Sequence, residues 1–136
     1  MSPKDIVFDE NLEFYTKSSI TGNDICVILS DDLNASEETL EEEYKHKIAN
    51  FINNYNIWYK KTIEKIETWA LSQYGHNPKS NEIKLMNIFI LFEQQEKELY
   101  GLEFRVEFDI EHGCGLKISP NNLKIIEIGN GDVAFC

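Results

Sequence analysis

The sequence predicts an α+β fold: an antiparallel sheet built from the N- and C-terminal segments and packed on one long bent helix or a helix pair. Three observations predict it. Residues 25–29 are a short apolar, partly β-branched run between Gly22-Asn23 and Asp31-Asp32, the pattern of a buried strand. Residues 36–74 carry apolar side chains at steps of three and four, as one face of a helix does. Residues 102–111 alternate apolar and charged without interruption, which is strand periodicity. With 136 residues, 42% of them hydrophobic and 27% charged, the chain has the length of a single domain, 1–136. That is enough to bury a core without a metal or disulfides.

Each element follows in order. Strands are expected near 5–8, 12–17 and 24–30. Asn34 or Ser36 can cap the helix that follows, and Asn34-x-x-Glu37 resembles a capping box. Glu37, Glu38 and Glu41 suit its first turns, where the helix dipole favours negative charge. Asn50, Asn53, Asn54 and Asn56 are poor helix formers, so a break is expected near 53–56. Gly75 is a natural stop, with Pro78 beyond it. Residues 83–92 read as a strand, and 93–98 as a polar connector. In 102–111, Leu102, Phe104, Val106, Phe108 and Ile110 are expected to face the helices. Glu103, Arg105, Glu107, Asp109 and Glu111 point the other way. Gly113 and Gly115 allow a tight bend. Leu116-Lys117-Ile118 and residues 124–128 form a hairpin over Pro120-Asn121-Asn122.

Charge narrows the function. Twenty-four acids against thirteen bases leave −11, which repels phosphates and anionic membranes and favours a basic protein partner. The longest mostly apolar run, 83–92, is too short to span a bilayer, and Met1-Ser2-Pro3-Lys4-Asp5 lacks the apolar core of a secretory signal. Cys26, Cys114 and Cys136 show no metal-ligand spacing. They read as free thiols of a cytoplasmic protein, with a Cys114–Cys136 disulfide as the alternative.

His112, in Asp109-Ile110-Glu111-His112-Gly113-Cys114-Gly115, is the most pointed candidate for chemistry. It reads either as a turn histidine bonded to backbone or as part of a binding surface. A hydrolytic or metal site using Asp109, Glu111 and His112 is a third reading, and nothing else in the chain supplies the usual partner motifs. His46 and His76 read as surface residues, and Trp58 and Trp69 as core. No nucleotide-binding glycine loop is present, and no cofactor is expected. The acidic features are seven acids with no base over residues 31–43 and the charged face of 103–111. Candidate partner-binding residues are therefore Glu103, Glu107, Asp109, Glu111, His112, Asp31, Asp32, Glu41 and Glu42.

The segments Tyr100-Gly101-Leu102-Glu103-Phe104, Glu111-His112-Gly113-x-Gly115, Glu127-Ile128-Gly129 and Asp132-Val133-Ala134-Phe135 resemble a family of small bacterial proteins classed as a domain of unknown function. That family's pattern is a Tyr-Gly strand start, a Glu-His-Gly turn and a closing Ile-Gly…Asp-x-Ala-Phe/Trp. It has no assigned activity, so the resemblance supplies no catalytic residues. Some such proteins resemble immunity proteins of polymorphic or contact-dependent growth-inhibition toxin systems. The resemblance thus implies a non-enzymatic protein that binds a cognate toxin, expected to be a basic nuclease-type domain, and occludes its active site. An adaptor with another partner is the alternative.

Overall fold

The computed structural model describes residues 1–29, 42–94 and 97–135. One sheet has six strands in sequence order: β1 (Glu13–Lys17), β2 (Asp24–Leu29), β3 (Ile83–Gln94), β4 (Lys97–Val106), β5 (Cys114–Ile118) and β6 (Ile125–Gly129). Two helices, α1 (Glu42–Asn53) and α2 (Tyr55–Tyr74), lie between β2 and β3 in the chain. The α+β architecture is the expected one. The sheet, however, is mixed: β2 and β3 run parallel, with Cys26 opposite Asn87, and every other neighbouring pair is antiparallel. The reason is the crossover, because a helical connection brings the next strand back in the same direction.

The helical stretch breaks at Asn54, within the asparagine cluster. Asn54 Nδ2 donates to the Asn50 carbonyl at 2.9 Å, and Asn53 clasps the chain start, accepting from the Met1 ammonium at 2.9 Å and donating to the Met1 carbonyl at 2.8 Å. These side chains bind backbone where a helix would leave them exposed. Gly75 ends α2 in the left-handed conformation at φ +64°, which a side chain disfavours. The expected caps Asn34 and Ser36 lie outside the described residues.

The core is the layer between the helices and one sheet face. Ile25, Val27, Leu29, Ile83, Leu85, Ile88, Ile90, Tyr100, Leu102, Phe104, Val106, Leu116 and Ile118 meet Ile48, Phe51, Tyr55, Trp58, Tyr59 and Ile66 there. On β3 the inward positions change phase, from 83 and 85 to 88 and 90. A register shift between Leu85 and Asn87 is the cause, since one extra residue reverses the alternation that follows. Met86, the extra residue, is left exposed.

Two strand expectations are corrected. Residues 3–5 form a 3-10 turn, because the Asp5 carboxylate accepts the Ser2 N–H at 2.8 Å and its hydroxyl at 3.1 Å. Ile6 and Phe8 are nevertheless buried. The alternating run 102–111 leaves the sheet after Val106 and becomes a 3-10 turn over Glu107–Asp109. Phe108 is then half-buried against the Tyr74 and His76 rings, at 5.2 and 5.3 Å between centroids, and Ile110 is 58% exposed. Phe108 therefore still packs on α2 as expected, through Trp69 at 6.4 Å and Tyr74, though from a turn and not from a strand; Ile110 does not face the helices.

The opposite sheet face carries the chain's end. The 3-10 turn Gly131–Ala134 lies on β4 and β5, where the Ala134 backbone sits on Gly101 and on Gly115. Gly115 is therefore a strand residue that admits a second backbone, not a bend. The bend belongs to Gly113, at φ +66°. The expected β5–β6 hairpin over Pro120-Asn121-Asn122 is present. Among the described residues no helix is long and apolar enough to cross a membrane.

Candidate functional site

Five of the nine candidate residues come together, at the end of β4 and in the turns that follow it. Leaving the strand after Val106 lets Asp109 turn back on the chain. Its Oδ1 accepts the His112 backbone N–H at 3.2 Å and the ring Nδ1 lies at 3.0 Å. Its Oδ2 accepts the Tyr74 hydroxyl at 2.7 Å. The Gly113 N–H closes the turn on the Asp109 carbonyl at 2.9 Å. One carboxylate thus ties the C-terminal end of α2 to the turn after β4. The His112 carbonyl in turn accepts the Gly131 N–H at 2.9 Å, so the same turn anchors the C-terminal segment.

Beside this hub is an open cleft of about 310 Å³ lined by Met86, Glu103, Arg105, Ile110, Glu111 and His112, among others. Glu103 stands on β4 and accepts from Asn87 Nδ2 on β3. Glu107 is not in the lining but lies 3.7 Å from the guanidinium of Arg105, which is. Glu111 is exposed. Met86 and Ile110 present the apolar surface, at 37% and 58% exposure.

Electrostatics follow the hydrogen bonds. The bond to Asp109 pushes the Tyr74 hydroxyl up to about 12, because a phenolate there would face a carboxylate. The same bond, with those from His112, holds the Asp109 carboxyl below its usual range. Asp109 in turn raises His112, with smaller contributions from Glu111 and Asp132. The sign of each shift sets a pH window. His112 contributes stability below its ordinary 6.5, lost as pH rises through its raised value,. Asp109 contributes above its ordinary 3.8, lost as pH falls through its lowered value,. The tie is therefore strongest between those limits. Asp109→Asn should drop the His112 titration toward its ordinary value and the Tyr74 titration toward 10. Imidazole NMR shifts and the ultraviolet tyrosinate signal read both, and unchanged midpoints would refute the hub.

Cys26 and Cys114 are not placed for nucleophilic work, and Cys136, with its alternative pairing to Cys114, lies outside the described residues. Cys26 and Cys114 are free and buried. Burial pushes the Cys114 thiol up to about 12, so it is not a thiolate at neutral pH. Among the described residues, no group of three or more His, Cys, Asp or Glu side chains is placed to hold a metal ion. His46 is exposed, and His76 bonds Glu82 at 2.8 Å.

Of the remaining candidates, Glu42 is exposed at the start of α1 and is not part of the cleft lining. Asp31, Asp32 and Glu41 lie outside the described residues. Tyr74, Met86 and Arg105 belong to the site but were not among the candidates. Tyr74 reads as an apolar helix position, and no local signal links it to Asp109, 35 residues away. The Asp109-x-x-His112 spacing was readable as a turn, but the unbroken alternation favoured a strand. No family model, curated protein or solved structure matches the chain.

Proposed function

We propose that the chain is an immunity-type protein that binds a basic partner, a cognate toxin domain, at the cleft beside Asp109 and His112 and occludes that partner's active site. One observation carries this reading. Glu103 and Glu111 line the cleft with two exposed apolar side chains, Met86 and Ile110, and the one basic side chain there, Arg105, is 3.7 Å from Glu107. Protein interfaces take their affinity from a few such anchors and their orientation and encounter rate from the charged rim. The net charge of −11 supports a basic protein over nucleic acid or an anionic membrane. Reduced, buried thiols suit a cytoplasmic protein.

The test is a pull-down of tagged protein from its own organism's lysate at about 0.1 M and 0.5 M salt, read by mass spectrometry. A basic toxin fragment held at 1:1 and weakened by salt is the expected result. Recovery of the protein alone, with the toxin expressed, would sink the reading. Charge reversal then maps the surface. Glu107→Lys with Glu111→Lys should weaken binding by roughly tenfold or more at low salt, with a smaller loss at high salt. Asp109 is a poorer choice for reversal, because it also holds Tyr74 and His112. Ile110→Ala should weaken binding by an amount that salt barely changes.

A second reading, an adaptor or self-associating domain, is favoured by the rest of the helix-free sheet face, which Glu103 shares. Tyr15 is 64% exposed and Phe135 43%, and Phe135 packs on half-buried Phe89 at 5.3 Å. Sedimentation of the purified chain decides it, since a concentration-dependent dimer lost in Tyr15→Glu would favour this reading.

A further inference from the structure

The Tyr74–Asp109–His112 arrangement places an imidazole in the cleft lining, at the point where a basic partner would approach. His112 is exposed on the cleft side, yet it is fixed, because Nδ1 lies 3.0 and 3.1 Å from the two Asp109 oxygens. Asp109 is itself fixed by Tyr74 at the end of α2. The imidazole therefore cannot swing away from the cleft without breaking that bond. The charged and titratable groups around it are Asp109 in the preceding turn, Glu111 beside it, Asp132 in the C-terminal turn, and Glu103 and Arg105 on β4. Tyr74 reaches it through Asp109. Acids outnumber the single guanidinium, so the proton on His112 decides how much negative charge the cleft presents.

We propose that His112 is a proton-controlled charge switch for the cleft: protonated, it places a fixed cation among the acids and weakens the hold on a basic partner; neutral, it leaves those acids uncompensated and strengthens it. The proposal rests on the binding reading above and adds its regulation. Linkage runs both ways. A cationic partner side chain in the cleft disfavours the imidazolium, so binding near neutral pH releases a proton from His112. Histidine is the side chain suited to this role, since small environmental changes move its charge across the physiological range.

The test uses the full chain with hexalysine, which stays cationic throughout, as the probe from pH 5.5 to 8.5. Hexalysine affinity of the unchanged protein should rise about fivefold across the His112 titration, the scale of one close charge pair in a high dielectric. His112→Gln should keep the tighter affinity at low pH and flatten the profile. His112→Lys should hold the weaker affinity at high pH. In the protein without ligand, the Tyr74 ring resonances should follow the His112 midpoint. A His112→Gln profile that superimposes on the unchanged one overturns the switch alone. Absence of hexalysine binding at every pH overturns the switch and the basic-partner reading together. Tyr74 resonances indifferent to His112 overturn the proposed fixing of the imidazole.

Discussion

Gly101→Ala is expected to cost about 3 kcal/mol or more and to lift the C-terminal turn off the sheet. One methyl group is an unusually small change for so large an effect. The added carbon would overlap the Ala134 carbonyl, which is backbone and cannot rotate aside. Gly115→Ala meets the same obstacle, with its Cβ 2.7 Å from the Ala134 nitrogen and the Asn130 and Gly131 oxygens. Gly129→Ala is the informative contrast. Its nearest atom is Val133 Cγ2 at 2.9 Å, the end of a side chain, so Val133→Ala should rescue it. No side-chain truncation should rescue Gly101→Ala. Urea unfolding of the three variants checks the order. A chain ending at Asn130 should absorb Gly101→Ala at little further cost, because the two changes then act on one contact.

Trp58→Ala is the second large effect, at about 3–5 kcal/mol, a fall in Tm on the order of 10 °C or more. Trp58 is wholly buried. Its ring stacks on Phe51 at 4.5 Å with planes 10° apart and meets Tyr55 edge-on at 5.0 Å. Its indole N–H donates to the Phe51 carbonyl at 2.7 Å. That carbonyl lies at the bend between the helices, so the ring both fills the core and pins the angle. Trp58→Phe keeps most of the ring and loses one hydrogen bond, a net cost nearer 1 kcal/mol. The Phe51 carbonyl is not orphaned, since it also accepts the Asn54 N–H at 3.2 Å. Equal costs for the two substitutions would mean that the hydrogen bond, not the packing, carries the site.

The parts of the fold readable in the sequence are those that local chemistry decides. Helix periodicity, the asparagine break and Gly75 located α1 and α2. Turn residues around 25–29 and around Pro120 located β2 and the last hairpin. What escaped depended on distant groups. The run 102–111 is consistent with a strand along its whole length, and its end is set by Asp109 finding the His112 amide and the Tyr74 hydroxyl. That same event builds the candidate site. Its acids were legible as a charged strand face; the placing of Glu103 and Glu111 beside Met86 and Ile110 was not, because Ile110 reads as a core position. The glycines of the C-terminal pattern also acquire a different meaning. Gly101 and Gly115 serve backbone-on-backbone packing of the chain's own end, a role in stability rather than in chemistry.

The parallel pairing of β2 with β3 has a consequence for how the chain is made. Strands β3 to β6 join neighbours through short connections, the local contacts that form quickly. The partner of Cys26, by contrast, is synthesised about sixty residues later. At roughly 5–20 residues per second on the ribosome, the β1–β2 hairpin waits several seconds for β3. Through that interval β2 is an unpaired edge bearing Ile25, Val27 and Leu29, which are buried in the finished fold. An uncovered apolar edge is a template for other strands, so slow docking of the first hairpin is where this chain is most exposed to aggregation during its birth.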